Sequence, residues 1–286
     1  MAEPFDVAII GALHLDIMVR GPHLPRLDET VIGSAWRFKC GGKGGNQAAA
    51  AARAGARTAF IGAIGDDDFG RKLRDNLVQA GVDCSRLAVD HSAGSGMSVA
   101  IEDAQGAYGA VVVSGANLGI DPRQFHGVAA KVLLLQNEVL PEINAAAAEA
   151  FAASGATVIH NAAPFRPGTL PFAGVVVVNR IEAAAMAGFD IASLADAERV
   201  ALRLAGAGDI IVTLGGDGCI VAVRGGEWRH IPAETVAAVS SHGAGDAFCG
   251  TLAAEIAKGA DVFAAAASAS KAAAAVVAQS PETGSY

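Results

Sequence analysis

Aromatic side chains are scarce in this chain, at 5% of its 286 residues. That scarcity argues against an aromatic-rich β-sandwich. Hydrophobic residues nevertheless make up 52%, much of it alanine, so a sizeable core of tightly packed helices is expected. Four cysteines, Cys40, Cys84, Cys219 and Cys249, are widely spaced and form no C-x-x-C pair. Zinc-ligand spacing is therefore absent, and buried free thiols in a reducing cytoplasm are expected. Excess positive charge is lacking too. Lys and Arg number 21 against 29 Asp and Glu, a formal net charge of −8, which excludes nucleic acid or an anionic membrane as the main partner. An anionic ligand such as ATP must then be held by local donors, lysines and metal. The acidic N-terminus has no signal-peptide core. The longest apolar run, residues 262–278, is mostly alanine and is interrupted by Ser268, Ser270 and Lys271, too weakly apolar to span a bilayer. A soluble, cytoplasmic protein is expected.

Several catalytic signatures are missing as well. Lys43 stands in Gly-Gly-Lys-Gly and not in a Walker A loop. No protein-kinase set, no G-x-G-x-x-G after the first apolar run and no G-x-S-x-G elbow is present.

What is present alternates. Short apolar runs at residues 7–10, 58–61, 132–135, 157–159, 175–178 and 210–213 read as strands. Between them lie helical patterns at 48–54, 69–80, 141–153, 181–187 and 194–205, with two more at 245–258 and 261–278 closing the chain. Such alternation predicts an α/β fold, a three-layer αβα, doubly wound and mostly parallel sheet with ligands at the C-terminal strand edge. Extended pieces at 17–19 and 30–38, with a hairpin over 97–101 and 107–113, have no crossover helix between them and suggest a small β-appendage. A second hairpin is expected at 219–223 and 228–231, and a further strand at 236–239. Asp66, Asp67 and Asp68 are consecutive and cannot all face one ion, so helix capping explains them better than a metal.

Polar residues recur just past these strands: Asp16, Glu138, Asn161, Asn179, and the glycines Gly215, Gly216 and Gly218. The stretch Gly243-Ala244-Gly245-Asp246 opens the penultimate helix. Its turn leaves backbone N–H groups unpaired beside the positive end of the helix dipole, which favours an anion. Asp246 then stands beside that anion and, if a phosphoryl group is being transferred, can take the proton of the attacking hydroxyl. Alone, the same residues make a tight turn with a helix-start acid.

A second motif, Gly41-Gly42-Lys43-Gly44-Gly45-Asn46-Gln47-Ala48, lies about 200 residues upstream. Together the two resemble the paired signatures of the ribokinase (PfkB) family of sugar kinases, and the similarity runs from Val7 to about Ala278. The resemblance implies one ribokinase-like kinase domain over residues 1–286, with lid strands within 14–40 and 95–115. It implies ATP as phosphoryl donor, Mg²⁺, and ribose converted to ribose 5-phosphate as the simplest reaction. Asp246 is then the base, and Gly243, Ala244 and Gly245 form the anion hole. His14, Asp16, Gly42, Lys43, Asn46, Glu138 and Asp246 hold the sugar. Asn179, Thr213, Gly215, Gly216, Gly218, Gly245 and Ser270 line the nucleotide, and Asn179 and Glu182 organise Mg²⁺ indirectly.

Three positions depart from the family pattern. Ser240 and Ser241 replace the usual Asp-Thr, removing a carboxylate that commonly helps hold a monovalent cation, so activity independent of K⁺ is expected. His14 replaces an asparagine, which opens a nucleoside or pseudouridine as an alternative acceptor. The chain also stops at Tyr286, without the usual glycine in Ser280–Gly284 or the final helix found in many members, which implies a looser adenine pocket or one completed by another chain. A catalytically silent sugar sensor is a third reading, against which the intact Gly-Ala-Gly-Asp turn counts. Exposed lid edges predict a homodimer formed through the lid.

Overall fold

The computed structural model describes residues 3–103, 105, 107–167, 174–206, 208–237, 240 and 242–278. The chain begins β1 (Phe5–Ile10), β2 (His14–Gly21), β3 (Ala35–Gly41), α1 (Lys43–Arg53), β4 (Thr58–Gly65), α2 (Asp68–Gln79) and β5 (Asp83–Asp90). It continues through β6 (Met97–Asp103), β7 (Tyr108–Val113), β8 (Ala130–Gln136), α3 (Pro141–Ala153), β9 (Thr157–Asn161) and β10 (Val175–Asn179). It closes with α4 (Arg180–Ala187), α5 (Leu194–Leu204), β11 (Asp209–Thr213), β12 (Cys219–Ala222), β13 (Trp228–Ile231), α6 (Ala244–Ala257) and α7 (Val262–Ala278).

Nine strands form one sheet in the order β13-β12-β11-β10-β9-β8-β1-β4-β5, parallel except for the pairings of β12 with β11 and β13. Its central strands are unbroken apolar runs because both faces are covered. Val7, Ile9, Val132 and Leu134 pack under α1, α2, α6 and α7, whereas Ala8, Ile10, Leu133 and Leu135 pack under α3. Val176, Val178, Ile210 and Val212 meet α4 and α5 on that second face. These are the three layers read from the alternation. A separate four-stranded sheet, β3-β2-β6-β7, carries the two early extended pieces and the first hairpin.

Buried polar contacts set the smaller sheet against the larger one. The Asn117 side chain accepts from Leu13 N at 2.9 Å and donates to Leu13 O at 2.8 Å, fixing the entry into β2. Asp67 caps α2 by accepting from Gly70 N at 2.7 Å, as capping chemistry predicts, and also accepts from Ser95 N and Oγ just before β6.

Three readings from the sequence need correction, and one strand is not anticipated by it. α1 begins at Lys43, five residues earlier than residue 48, because the glycine run itself is helical. The extended piece expected at 30–38 is a regular strand only from Ala35. β5 carries no signal in the sequence: it is an edge strand paired only with β4, through a register shift, and its residues are mixed polar and apolar. Residues 232–237 form no strand where one was expected at 236–239; Ala238, Val239 and Ser241 lie outside the described residues, as do Ala104 and Gly106 of the first hairpin's turn and the 280–284 stretch.

Candidate active site

The site is built where α1 meets α6. Residues 48–51, four alanines, are buried against α6, and Gly250 lies against them so closely that a Cβ there would stand 2.6 Å from Ala50 Cβ and 2.8 Å from Ala51 N. Small residues on both helices bring their first turns side by side. Asn46 Nδ2 donates to Asp246 Oδ2 at 2.9 Å, and Gln47 Nε2 donates to Asp246 Oδ1 at 3.1 Å. Each carboxylate oxygen therefore has its own amide donor, which fixes the plane of the group.

Gln47 is held in turn. It is fully buried, its Oε1 accepts from Gln136 Nε2 at 2.8 Å, and its Nε2 also donates to Asn161 Oδ1 at 3.1 Å. These partners sit at the C-terminal ends of β8 and β9, the edge where a parallel sheet places its ligands.

Gly42 precedes the first residue of α1, with φ 85° and no capping side chain of its own. A Cβ on Gly42 would lie 2.9 Å from His14 N, and one on Gly44 2.8 Å from Gly11 Cα, so only glycine lets α1 approach the β1–β2 connection. Glu138 supplies the missing cap: its Oε2 accepts from Lys43 N at 2.7 Å. Burial raises the Glu138 pKa above the usual carboxylate range, against the pull of Lys43. Burial acts on the Lys43 ammonium in the opposite sense to Asp246, Glu138 and Glu182, and the three carboxylates outweigh it, so its pKa is raised. No hydrogen bond or ion pair engages that ammonium among the described residues. It is a half-buried cation with no described partner.

At the head of α6, Gly243 adopts φ 86° and no side chain caps the helix among the described residues. The first N–H groups of Ala244, Gly245 and Asp246 consequently face outward. From the smaller sheet, Asp16 accepts from Ser98 Oγ at 2.5 Å, and its other oxygen lies against Gly41, where any Cβ would strike it. His14 is buried and its Nε2 has no partner among the described residues. Desolvation lowers its pKa, leaving a neutral ring with one donor and one acceptor.

A nine-stranded αβα sheet, a small second sheet and an acid flanked by two glycine-rich helix starts narrow the fold families sharply. The model of the pfkB family carbohydrate kinases matches residues 5–285. The chain belongs to that family.

Two curated relatives agree. A ribokinase from Mus musculus is 30% identical over 263 residues, covering 88% of this chain and 81% of the other. A deoxyribokinase from Salmonella typhi is 30% identical over 271 residues, covering 91% and 88%. A solved ribokinase from Cryptococcus neoformans var. grubii serotype A, in complex with ADP, superposes with a TM-score of 0.82 at 28% identity, covering 96% of this chain and 94% of that one. This pfkB-family chain is a phosphotransferase acting on a sugar hydroxyl.

The structure gathers some expected residues and leaves others apart. Gly42, Lys43, Asn46, Glu138 and Asp246 meet through the contacts above, and Asp16 acts electrostatically on Glu138. Asn179 and Glu182 form a reciprocal capping box on α4, Asn179 Oδ1 accepting from Glu182 N and Glu182 Oε2 from Asn179 N, both at 2.9 Å. Thr213 ends β11, three strand positions from β8, and donates to Val178 O at 3.4 Å. Gly215 and Gly216 form a tight 3-10 turn ending at Gly218, with Gly215 at φ 64° and Gly218 at φ 84°. Ser270 is buried on α7, which packs against α6. No described hydrogen bond ties Thr213, these glycines or Ser270 to the Asp246 cluster. Gln47, Ser98 and Gln136 were missed from the sequence. Gln47 stood inside the quoted motif and Gln136 one residue past an apolar run, which is the available signal.

Proposed function

We propose that this protein transfers the γ-phosphate of ATP to a hydroxyl of a small sugar, with ribose to ribose 5-phosphate as the simplest case. The observation that carries the reading is Asp246, fixed by two amides beside uncapped helix N–H groups. Asp246 takes the hydroxyl proton as the oxygen attacks phosphorus. Gly243, Ala244 and Gly245 receive the negative charge of the phosphoryl oxygens, and Lys43 neutralises charge between donor and acceptor. Asp16, His14, Asn46, Gly42, Lys43 and Glu138 orient the sugar. Thr213, Gly215, Gly216, Gly218, Asn179, Gly245 and Ser270 lie along the nucleotide. The ADP complex of the Cryptococcus relative and the ribokinase and deoxyribokinase names of the others support nucleotide and pentose ligands. The cytoplasm, which supplies ATP, is the matching compartment. A coupled ADP-release assay over pentoses, hexoses and nucleosides tests this; sugar binding without turnover of any acceptor would favour a silent sensor.

Mg²⁺ fits as an ion carried mainly on phosphates. Among the described residues no cluster of three His, Cys, Asp or Glu can hold a metal. Glu182 spends one oxygen on its cap and retains the other, and Asn179 orients it. Bound there, Mg²⁺ would screen phosphate charge.

The monovalent-cation question turns on Ser240, whose Oγ accepts from His242 N at 3.3 Å where the family commonly has a carboxylate. We expect kcat to change less than about twofold when K⁺ replaces a bulky organic cation. A severalfold stimulation would contradict this.

Dimerisation through the small sheet is part of this proposal. Tyr108, Val111, Val112 and Val113 of its edge strand β7 are 50–69% exposed, as is Trp36 of β3 at 59%. A second copy covering them hides apolar surface and an open edge. Sedimentation at micromolar concentration should give a dimer; a monomer, or a dimer undisturbed by Val111→Lys, would rule out this interface.

A further inference from the structure

Partners across an antiparallel pair project to the same side, and alternate residues of a strand share a face. Lys39 of β3 is the register partner of Asp16, with Gly41 two residues one way and Arg37 two residues the other. Ser98 is the partner of Asp16 on β6. Gly41, Lys39 and Arg37 therefore run along the same face as Asp16 and Ser98. Phe38, on the opposite face, packs its ring edge-on to Phe69 of α2.

The Asp16 face looks onto the phosphoryl-transfer groups. His242, beside the Gly243 turn, feels the charges of Lys39, Asp16, Asp246 and Lys43, and Lys39 feels those of Asp16 and Asp246. The strand leads away from α1, so Lys39 and then Arg37 lie progressively farther from Asp246 than Gly41 does.

These two cations have no direct partner among the described residues: both are only partly exposed, and neither forms an ion pair or hydrogen bond. Burial lowers the Lys39 pKa, Asp16 opposes it, Arg37 lowers it further, and Asp246 opposes in turn, with a net lowering. Against the single charge of Asp16, two half-buried cations leave net positive charge on this part of the face. Sugar hydroxyls are satisfied by Asp16 and the other groups already named, and do not neutralise two charges. A ligand anion does.

We propose that Lys39 and Arg37 form an anion subsite at the end of the acceptor pocket remote from Asp246, so that the preferred acceptor is a sugar bearing a carboxylate or phosphate at that end. The inference rests on the kinase reading of Asp246 and Asp16 and makes ribose the neutral reference acceptor. Carboxylate and phosphate present the same chemistry to a Lys–Arg pair.

The test compares kcat/KM for ribose and glucose with that for ribonate and gluconate (the carboxylate arm) and for glucose 6-phosphate (the phosphate arm). At least one charged acceptor should exceed its neutral parent by about tenfold or more. In the Lys39→Met/Arg37→Met double variant that ratio should fall at least about tenfold, while Lys39→Arg should keep most of it. A wild type that prefers neutral sugars, or a ratio unmoved by the double variant, overturns the subsite. If no acceptor is turned over, the kinase reading fails separately. Calorimetry with ribonate and ribose on wild type and double variant then decides the subsite: loss of a ribonate preference supports it, and equal binding throughout refutes it.

Discussion

Asp246→Asn should lower kcat by roughly 10²–10⁴-fold, the usual contribution of a positioned general base, while sugar affinity stays within a few-fold. The structure gives a reason to expect a folded variant. An asparagine at 246 presents one oxygen and one NH₂ where the carboxylate presents two acceptors. Gln47 cannot turn to meet the NH₂, because its own oxygen is held by Gln136 Nε2. Asn46 can: its Nδ2 donates to Asp246 and its oxygen has no described partner, so a flip offers that oxygen to the new amide. The variant loses the proton acceptor and keeps the scaffold. Single-turnover phosphorylation and calorimetric sugar binding, measured side by side, separate the two effects. Turnover near wild type would remove Asp246 from the role of base.

The second large effect is expected at Gly250, which touches no ligand. Replacing it with valine adds three carbons where the first alone meets Ala50 Cβ at 2.6 Å and Ala51 N at 2.8 Å. Helix propensity favours any such change by a few tenths of a kcal/mol, but overpacking a tight contact costs about 1–3 kcal/mol, so the variant should be destabilised. Relief requires α6 to move off α1. That motion carries Asp246 away from Asn46 and Gln47, and a displacement of about 1 Å at a reacting group can cost on the order of 10²-fold in rate. Thermal unfolding and kcat should therefore fall together in Gly250→Val. A variant with normal melting and normal turnover would show that the helix contact does not set the site.

Much of the architecture was legible from local pattern. Runs such as Val175–Val178 are apolar at every position because helices cover both faces of the sheet, and that continuity is written in the chain. β5 was not legible, since an edge strand has one pairing side and no strict pattern to keep. The start of α1 was misplaced because glycine disfavours helix by propensity, and only close approach to Gly11 and His14, with Glu138 capping from 95 residues away, makes a helix there. The expected strand at 236–239 failed over residues 236–237, whose apolar Val236 is not matched by a pairing partner in either sheet.

For the site, the sequence by itself determined the two glycine-rich helix starts, the acid that follows the second, and hence the family. Those are local features: a turn, an N-terminus and a carboxylate in the first helical turn. Tertiary structure alone decided what surrounds the acid. Gln47 reaches Asp246 across 199 positions, Ser98 reaches Asp16 across 82, and Lys39 stands opposite Asp16 only through strand register. Such pairings depend on how far a helix can approach its neighbour and which way a strand faces, and neither is encoded by the spacing of residues along the chain.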